Sequence, residues 1–158
     1  MKAFISLILL LLSTIASAVE VTGTVTAIYD GDTLTLLTAD KQQVKVRLSD
    51  IDAPERRQPY GNKARQALSA LAFGKSATVT VETIDRCGRT VGRVVVDGVD
   101  VNAELVRQGA AWVYRQYSHD AALLDLEQLA RDAQRGLWAL PESERIPPWE
   151  WRKVKRGV

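Results

Sequence analysis

Asp30-Gly31-Asp32-Thr33, then Arg47-Leu48, then Asp52-Ala53-Pro54-Glu55 gather four acids and one arginine around a strand-turn-strand unit. Asp30-Gly31 is a tight-turn dipeptide, and the residues from about 32 to 38 that follow it read as a strand. Val44, Val46 and Leu48 alternate with Lys45, Arg47 and Ser49, so a second strand turns its apolar residues one way and Arg47 the other. An earlier alternation, Val21, Gly23, Val25 and Ala27, supplies a third strand, and the three form a meander. Carboxylates beside an arginine suit a hard metal ion facing a phosphate. Each piece also has a plainer reading: Asp-Gly as a mere turn, Asp-Ala-Pro-Glu as a loop into a helix, and the later Gly88-Arg89 as a hairpin exit.

Outward from this unit, Pro54 and Pro59 stop the sheet, and Ala64, Leu68, Leu71 and Ala72 mark a short amphipathic helix ended by Gly74. Strands over about 77–84 and 89–96 follow, joined by the turn Asp85-Arg86-Cys87-Gly88 and closed by Asp97-Gly98. Helices over about 101–108 and 120–135 end at Gly109 and Gly136. Five short strands, one helix after the third and further helices at the end predict a mainly β fold with α additions, a five-stranded OB-fold barrel with about three helices. Residues 141–148 read as loop, and Pro147-Pro148-Trp149-Glu150-Trp151 is expected to lie against the body of the domain.

Lys2, an apolar run from Phe4 to Ile15 and Ala16-Ser17-Ala18 have the form of a secretory signal with a small-residue cleavage site. The run is too short to span a bilayer and has no positive stop after it. The expected division is a signal over 1–18 cleaved after Ala18, a barrel domain over 19–140 and a basic Pro/Trp-containing tail over 141–158. The product is expected to be secreted or periplasmic, monomeric and without stable membrane association.

With one cysteine, Cys87, an intramolecular disulfide and a cysteine-based zinc site are both excluded, and Cys87 is either an exposed thiol or a small tucked apolar residue. One histidine, His119, rules out multi-histidine metal sites and paired-histidine acid-base catalysis. It reads as a solvent-facing residue at a helix start. A metal-using hydrolase built from these residues would rely on carboxylate and carbonyl oxygens, which points to calcium or magnesium. The formal charge of +2 falls to +1 without Lys2, too small to argue nucleic-acid binding by itself. From Arg145 onward five basic residues stand against Glu150 with Trp149 and Trp151 among them. Two readings are open: a face for a nucleic-acid strand, or tryptophans folded back on the domain.

Taken in order, Asp30-Gly31-Asp32-Thr33, Arg47-Leu48, Asp52-Ala53-Pro54-Glu55, Asp85 to Arg89, Val101-Asn102 and Leu105-Val106-Arg107-Gln108-Gly109 resemble the staphylococcal nuclease (thermonuclease) family over nearly the whole mature chain. The resemblance implies an OB-fold barrel, calcium (Ca2+) dependence, and endonucleolytic cleavage of DNA and RNA with little sequence specificity, leaving 3′-phosphates. It implies that Asp32, Asp52 and the carbonyl of Ala53 bind calcium, with Asp30 just outside. Glu55 would act on the attacking water, as general base or by orienting it, and Arg47 and Arg89 would grip the scissile phosphate. Ala53 and Cys87 replace the family's threonine and tyrosine. The first change is harmless if only the carbonyl ligates; the second removes a nucleotide contact. Arg86 is a further candidate for substrate binding, and Tyr114 or Tyr117 for a base platform, with core packing the other reading of the tyrosines. The competing functional readings are a non-catalytic OB module that binds nucleic acid or protein, and a calcium-binding structural domain. The second gives Arg47 and Arg89 no task.

Overall fold

The computed structural model describes residues 18–157, so the segment read as a signal lies outside the described residues except for Ala18. Among the described residues no helix is long and apolar enough to cross a membrane.

Ten residues of alternating character make β1 (Val19–Ile28), long enough to serve two partners. Its first part pairs antiparallel with β5 (Ser76–Ile84), and its last residues pair antiparallel with β2 (Thr33–Leu37). The register shifts between Val25 and Ala27, a bulge that bends the strand from one neighbour toward the other. β2 pairs with β3 (Gln43–Leu48), and β5 with β6 (Thr90–Val96). The ring closes where β3 meets β6 in parallel, Val46 opposite Thr90 and Leu48 opposite Gly92. Gly92 is required there, because a Cβ on it would stand 2.3 Å from the carbonyl oxygen of Thr80. The five-stranded barrel expected from the alternation is therefore present.

Leu34, Leu36, Val46, Leu48, Val79 and Val94 fill the barrel. Three helices cover it. α1 (Gly61–Ala72) buries Ala64, Leu68 and Ala72, one stripe at four-residue spacing. α2 (Val101–Arg107) and α3 (Ala121–Asp132) begin at Asp100 and Asp120, whose carboxylates cap the first-turn N–H groups of Ala103 and of Ala122 and Leu123. Two-residue strands are added: β4 (Ile51–Asp52) pairs with β8 (Trp112–Val113), and β7 (Val99–Asp100) with β6.

Residues 141–147 are loop apart from a single 3-10 turn at Glu142–Glu144, as read, but the tail beyond them is helical. A fourth helix, α4 (Pro148–Arg156), occupies it and ends at Gly157 in the left-handed conformation. Pro147-Pro148 reads as a helix breaker, but proline at the first helical position sacrifices no hydrogen bond and has its φ already set.

Candidate active site

The Asp30-Gly31-Asp32 turn delivers an acid to the floor of the site. Asp30 Oδ1 accepts the Asp32 N–H at 3.1 Å, which fixes the turn. A Cβ on Gly31 would come within 2.6 Å of the Ala53 Cβ and 2.7 Å of the Ala64 Cβ, so bare backbone presses against the 52–55 loop and α1. Asp32, only 2% exposed, accepts from the Ala53 N–H at 2.6 Å and from Thr33 Oγ1 at 3.2 Å, and pairs with Arg47 Nη1. Asp52 is fully buried and comes from β4, aligned opposite Trp112. Arg47, opposite Thr33 across the β2–β3 ladder, reaches it with Nη2 at 2.8 Å. One guanidinium thus spans two buried aspartates that lie twenty residues apart in the chain.

A second guanidinium, absent from the sequence-based set, comes from α4. Arg152 Nη2 lies 2.7 Å from Asp52 Oδ2 and Nη1 lies 3.1 Å from Oδ1, while Nη1 also donates to Glu55 Oε1 at 2.9 Å. α4 is held for this task by Trp149, which stacks on Tyr114 at 5.2 Å with planes 5° apart and meets the Trp112 edge at 5.9 Å. Buried Gln58 ties the approach: its Nε2 donates to the Ile146 carbonyl at 2.5 Å while its Oε1 accepts the Glu55 N–H at 3.1 Å. The sequence does carry a signal for Arg152. It stands three residues after Trp149, on the same helical face as a tryptophan that needs burial.

A cavity of about 600 Å³ opens above this floor, lined among others by Arg47, Glu55, Arg89, Tyr114, Tyr117 and Arg152. Asp30 also reaches it. Arg89 is aimed by the hairpin turn, where Asp85 accepts from the N–H groups of Cys87 (2.9 Å) and Arg89 (3.0 Å) and from Arg89 Nε (2.7 Å). Tyr114 has one face covered by Trp149, and Tyr117 packs edge-on against it at 4.8 Å while remaining 68% exposed. The free ring is therefore that of Tyr117. Arg86 stands exposed on the turn and does not line the cavity, and Cys87 beside it is an exposed thiol. His119 is exposed, as its position at a helix start suggested.

Burial pushes the Asp32 carboxyl up to about 6; Arg47 pulls against this and Asp30 adds to it. Burial works against the charged form of Arg47, but Asp32 and Asp52 outweigh it and hold the guanidinium above its ordinary value. Arg152 is held up in the same way by Asp52 and Glu55. Asp30, Asp32, Asp52 and Glu55 gather here against Arg47 and Arg152, with Arg156 on the same wall as Asp30 and Glu55. Every side-chain donor among them is a carboxylate oxygen, the chemistry of calcium or magnesium. Among the described residues no three carboxylate, imidazole or thiol side chains converge as a group that could by itself hold a metal ion.

The sequence profile of the staphylococcal nuclease homologue family matches residues 45–140. An uncharacterized endonuclease of Escherichia coli O157:H7 is 41% identical over 156 residues, covering 98% of this chain and all of its own. A protein of Haemophilus influenzae with the same description is 40% identical over 151 residues, covering 94% of this chain and 84% of its own. A micrococcal nuclease of Shigella flexneri is 37% identical over 169 residues, covering all of this chain and 95% of its own.

Proposed function

Starting from a chain that belongs to the staphylococcal nuclease family, we propose a calcium-dependent endonuclease that hydrolyses DNA and RNA with little sequence specificity and leaves 3′-phosphates. The observation that carries this reading is the joint placement of the buried Asp32–Arg47–Asp52 bridge beneath a cavity rimmed by Glu55 and Arg89.

A phosphodiester attacked by water gathers negative charge on its nonbridging oxygens as it approaches the transition state. Positive groups already in place stabilise that state more than the ground state. Arg47 and Arg89 each offer a planar fork to phosphate oxygens. Glu55, with its side chain 38% exposed at the rim, would act on the attacking water, orienting it or taking its proton. As the water oxygen bonds to phosphorus the bond to the 5′ oxygen breaks, and that oxygen takes up a proton, so the phosphate stays on the 3′ side. Asp32, Asp52 and the Ala53 carbonyl would hold calcium, with Asp30 behind them; when bound, the ion supplies Lewis-acid charge beside the phosphate. Magnesium, which requires a tighter octahedron and gives up water reluctantly, suits two aspartates and a carbonyl less well.

The test is digestion of single-stranded DNA, duplex DNA and RNA by the protein in calcium, in magnesium and in chelator, with the product ends identified. Cleavage in calcium alone with phosphate on the 3′ ends is the expected result. Undiminished digestion in excess chelator would sink the metal assignment, and binding without any cutting would leave a nucleic-acid-binding module. Export is proposed as well, and a secreted or periplasmic product beginning at Val19 on N-terminal sequencing is its expected signature.

A further inference from the structure

Behind the wall made by Asp30, Glu55, Arg152 and Arg156 lies a second cavity, of about 480 Å³. Those four residues line both cavities, so the two meet at the carboxylates of the candidate site. The rest of the second cavity is chemically distinct: Arg56 and Arg57 from the loop after Glu55, Lys155 and Trp151 from α4, and Tyr29 at the end of β1. Among the described residues Arg56, Arg57, Lys155 and Arg156 make no ion pair. Other basic side chains here, Arg93, Arg107 and Arg115 among them, sit against carboxylates. A basic face that merely keeps a protein soluble has no reason to be concave or to include two aromatic rings. Trp151 is half-buried with the Lys155 ammonium 5.1 Å from its ring centre, and Tyr29 is 44% exposed.

We propose that this cavity is a second nucleic-acid subsite, taking the phosphates and one base of the single strand that flanks the scissile bond. The strand would run from the Arg89 and Tyr117 side, across Glu55, onto the face shared by α4 and the 56–57 loop. Unpaired cations tracking a backbone, with rings for bases, are the means by which proteins hold single strands without reading sequence. Trp151, Lys155 and Arg156 belong to α4, outside the five barrel strands, so this part of the subsite depends on the helix that closes over Asp52 and Glu55. The inference rests on the nuclease reading for the position of the scissile bond, but concerns binding and is tested as binding.

Fluorescence anisotropy in chelator would follow labelled oligothymidylates of about 3 and about 16 nucleotides, the longer one spanning both cavities. Parent protein, Arg57→Ser, Lys155→Ala and Trp151→Ala would be compared across a salt series, after thermal unfolding has shown each to be folded. The parent is expected to bind the longer strand more tightly. Arg57→Ser and Lys155→Ala are each expected to lower its log Kd against log salt slope by about 0.7, the value for one released single-strand phosphate contact. Trp151→Ala is expected to weaken the longer strand about tenfold, within the range for loss of one stacked base. Trimer binding is expected to change far less in all three. Arg57 is on the loop, so its effect is independent of whether α4 stays docked. Variants that keep the parent slope and length preference, or a parent that binds both lengths alike or not at all, would overturn the subsite. A cutting assay in calcium on the same samples separates the two ideas: a parent that binds with these slopes but never cuts removes the nuclease reading and supports the subsite.

Discussion

At the scale of single residues, the arginines differ in what their loss should do. Arg89 is held by Asp85 at the rim, and Arg89→Ala is expected to lower kcat by about 10²-fold or more with little change in strand affinity. Arg47 has a structural task as well, since its removal leaves Asp32 without its ion-pair partner and Asp52 with Arg152 alone. Arg47→Ala is therefore expected to harm turnover and affinity together and to cost about 3 kcal/mol of stability, read by denaturant unfolding. Glu55→Gln keeps the size of a half-buried side chain and is expected to lower turnover while the unfolding midpoint stays near the parent's. Asp85 gives a pH signature. Burial opposes its ionisation, but hydrogen bonds from Arg89 and Cys87 outweigh this and hold the carboxyl below the usual range. With the folded value depressed, the ordering of the turn is fully present above the unfolded value near about 3.9 and is lost as pH falls through the folded value. An NMR titration of the Asp85 carboxyl is expected to show a midpoint below about 3.9, and a midpoint at or above it would remove the turn's role in aiming Arg89.

At the scale of elements, α4 decides whether Asp52 and Glu55 are organised from one side or two. Trp149→Ala is expected to undock it and cost about 2 kcal/mol, less than a fully buried tryptophan because the ring is half-buried, with near-ultraviolet circular dichroism reporting the lost stack on Tyr114. The barrel strands were legible because Val44, Val46 and Leu48, like Val21 to Ala27, alternate without interruption, and α1 because Ala64, Leu68 and Ala72 keep helical spacing. β4 and β8 were not, since two residues carry no period; yet β4 is what places Asp52. α4 was hidden by Pro147-Pro148 at its start, and Arg152 with it. Of the two readings open for the tail, Trp149 satisfies one by folding back onto Trp112 and Tyr114, while Trp151 lines a cavity and keeps the other in play.

At the scale of the whole molecule, a cation held by the carboxylates under the cavity would tie stability to its concentration. If calcium binds the folded protein alone, its free concentration at about a hundred times Kd adds about 2.7 kcal/mol to stability. Differential scanning calorimetry is expected to show the unfolding midpoint rising with calcium and returning in chelator; no movement at concentrations that support cutting would contradict a site built on Asp32 and Asp52. Support for that floor also comes from α3, where buried Glu127 accepts from the Val113 N–H at 3.0 Å and from Arg115 at 2.5 Å. That anchors β8, and through it β4 and Asp52.

The parallel seam between β3 and β6 has a kinetic consequence. All of α1 and the β5 strand lie between its two sides in the chain, so the ring closes only after that length has been ordered, and the entropy of doing so precedes any reward from the seam. Folding is expected on the millisecond-to-second scale typical of barrels, with the β1–β2–β3 meander formed before the seam. Val46→Ala, which cuts into the seam from the core side, is then expected to quicken unfolding more than it slows folding, visible as a shift confined mainly to the unfolding arm of a stopped-flow chevron.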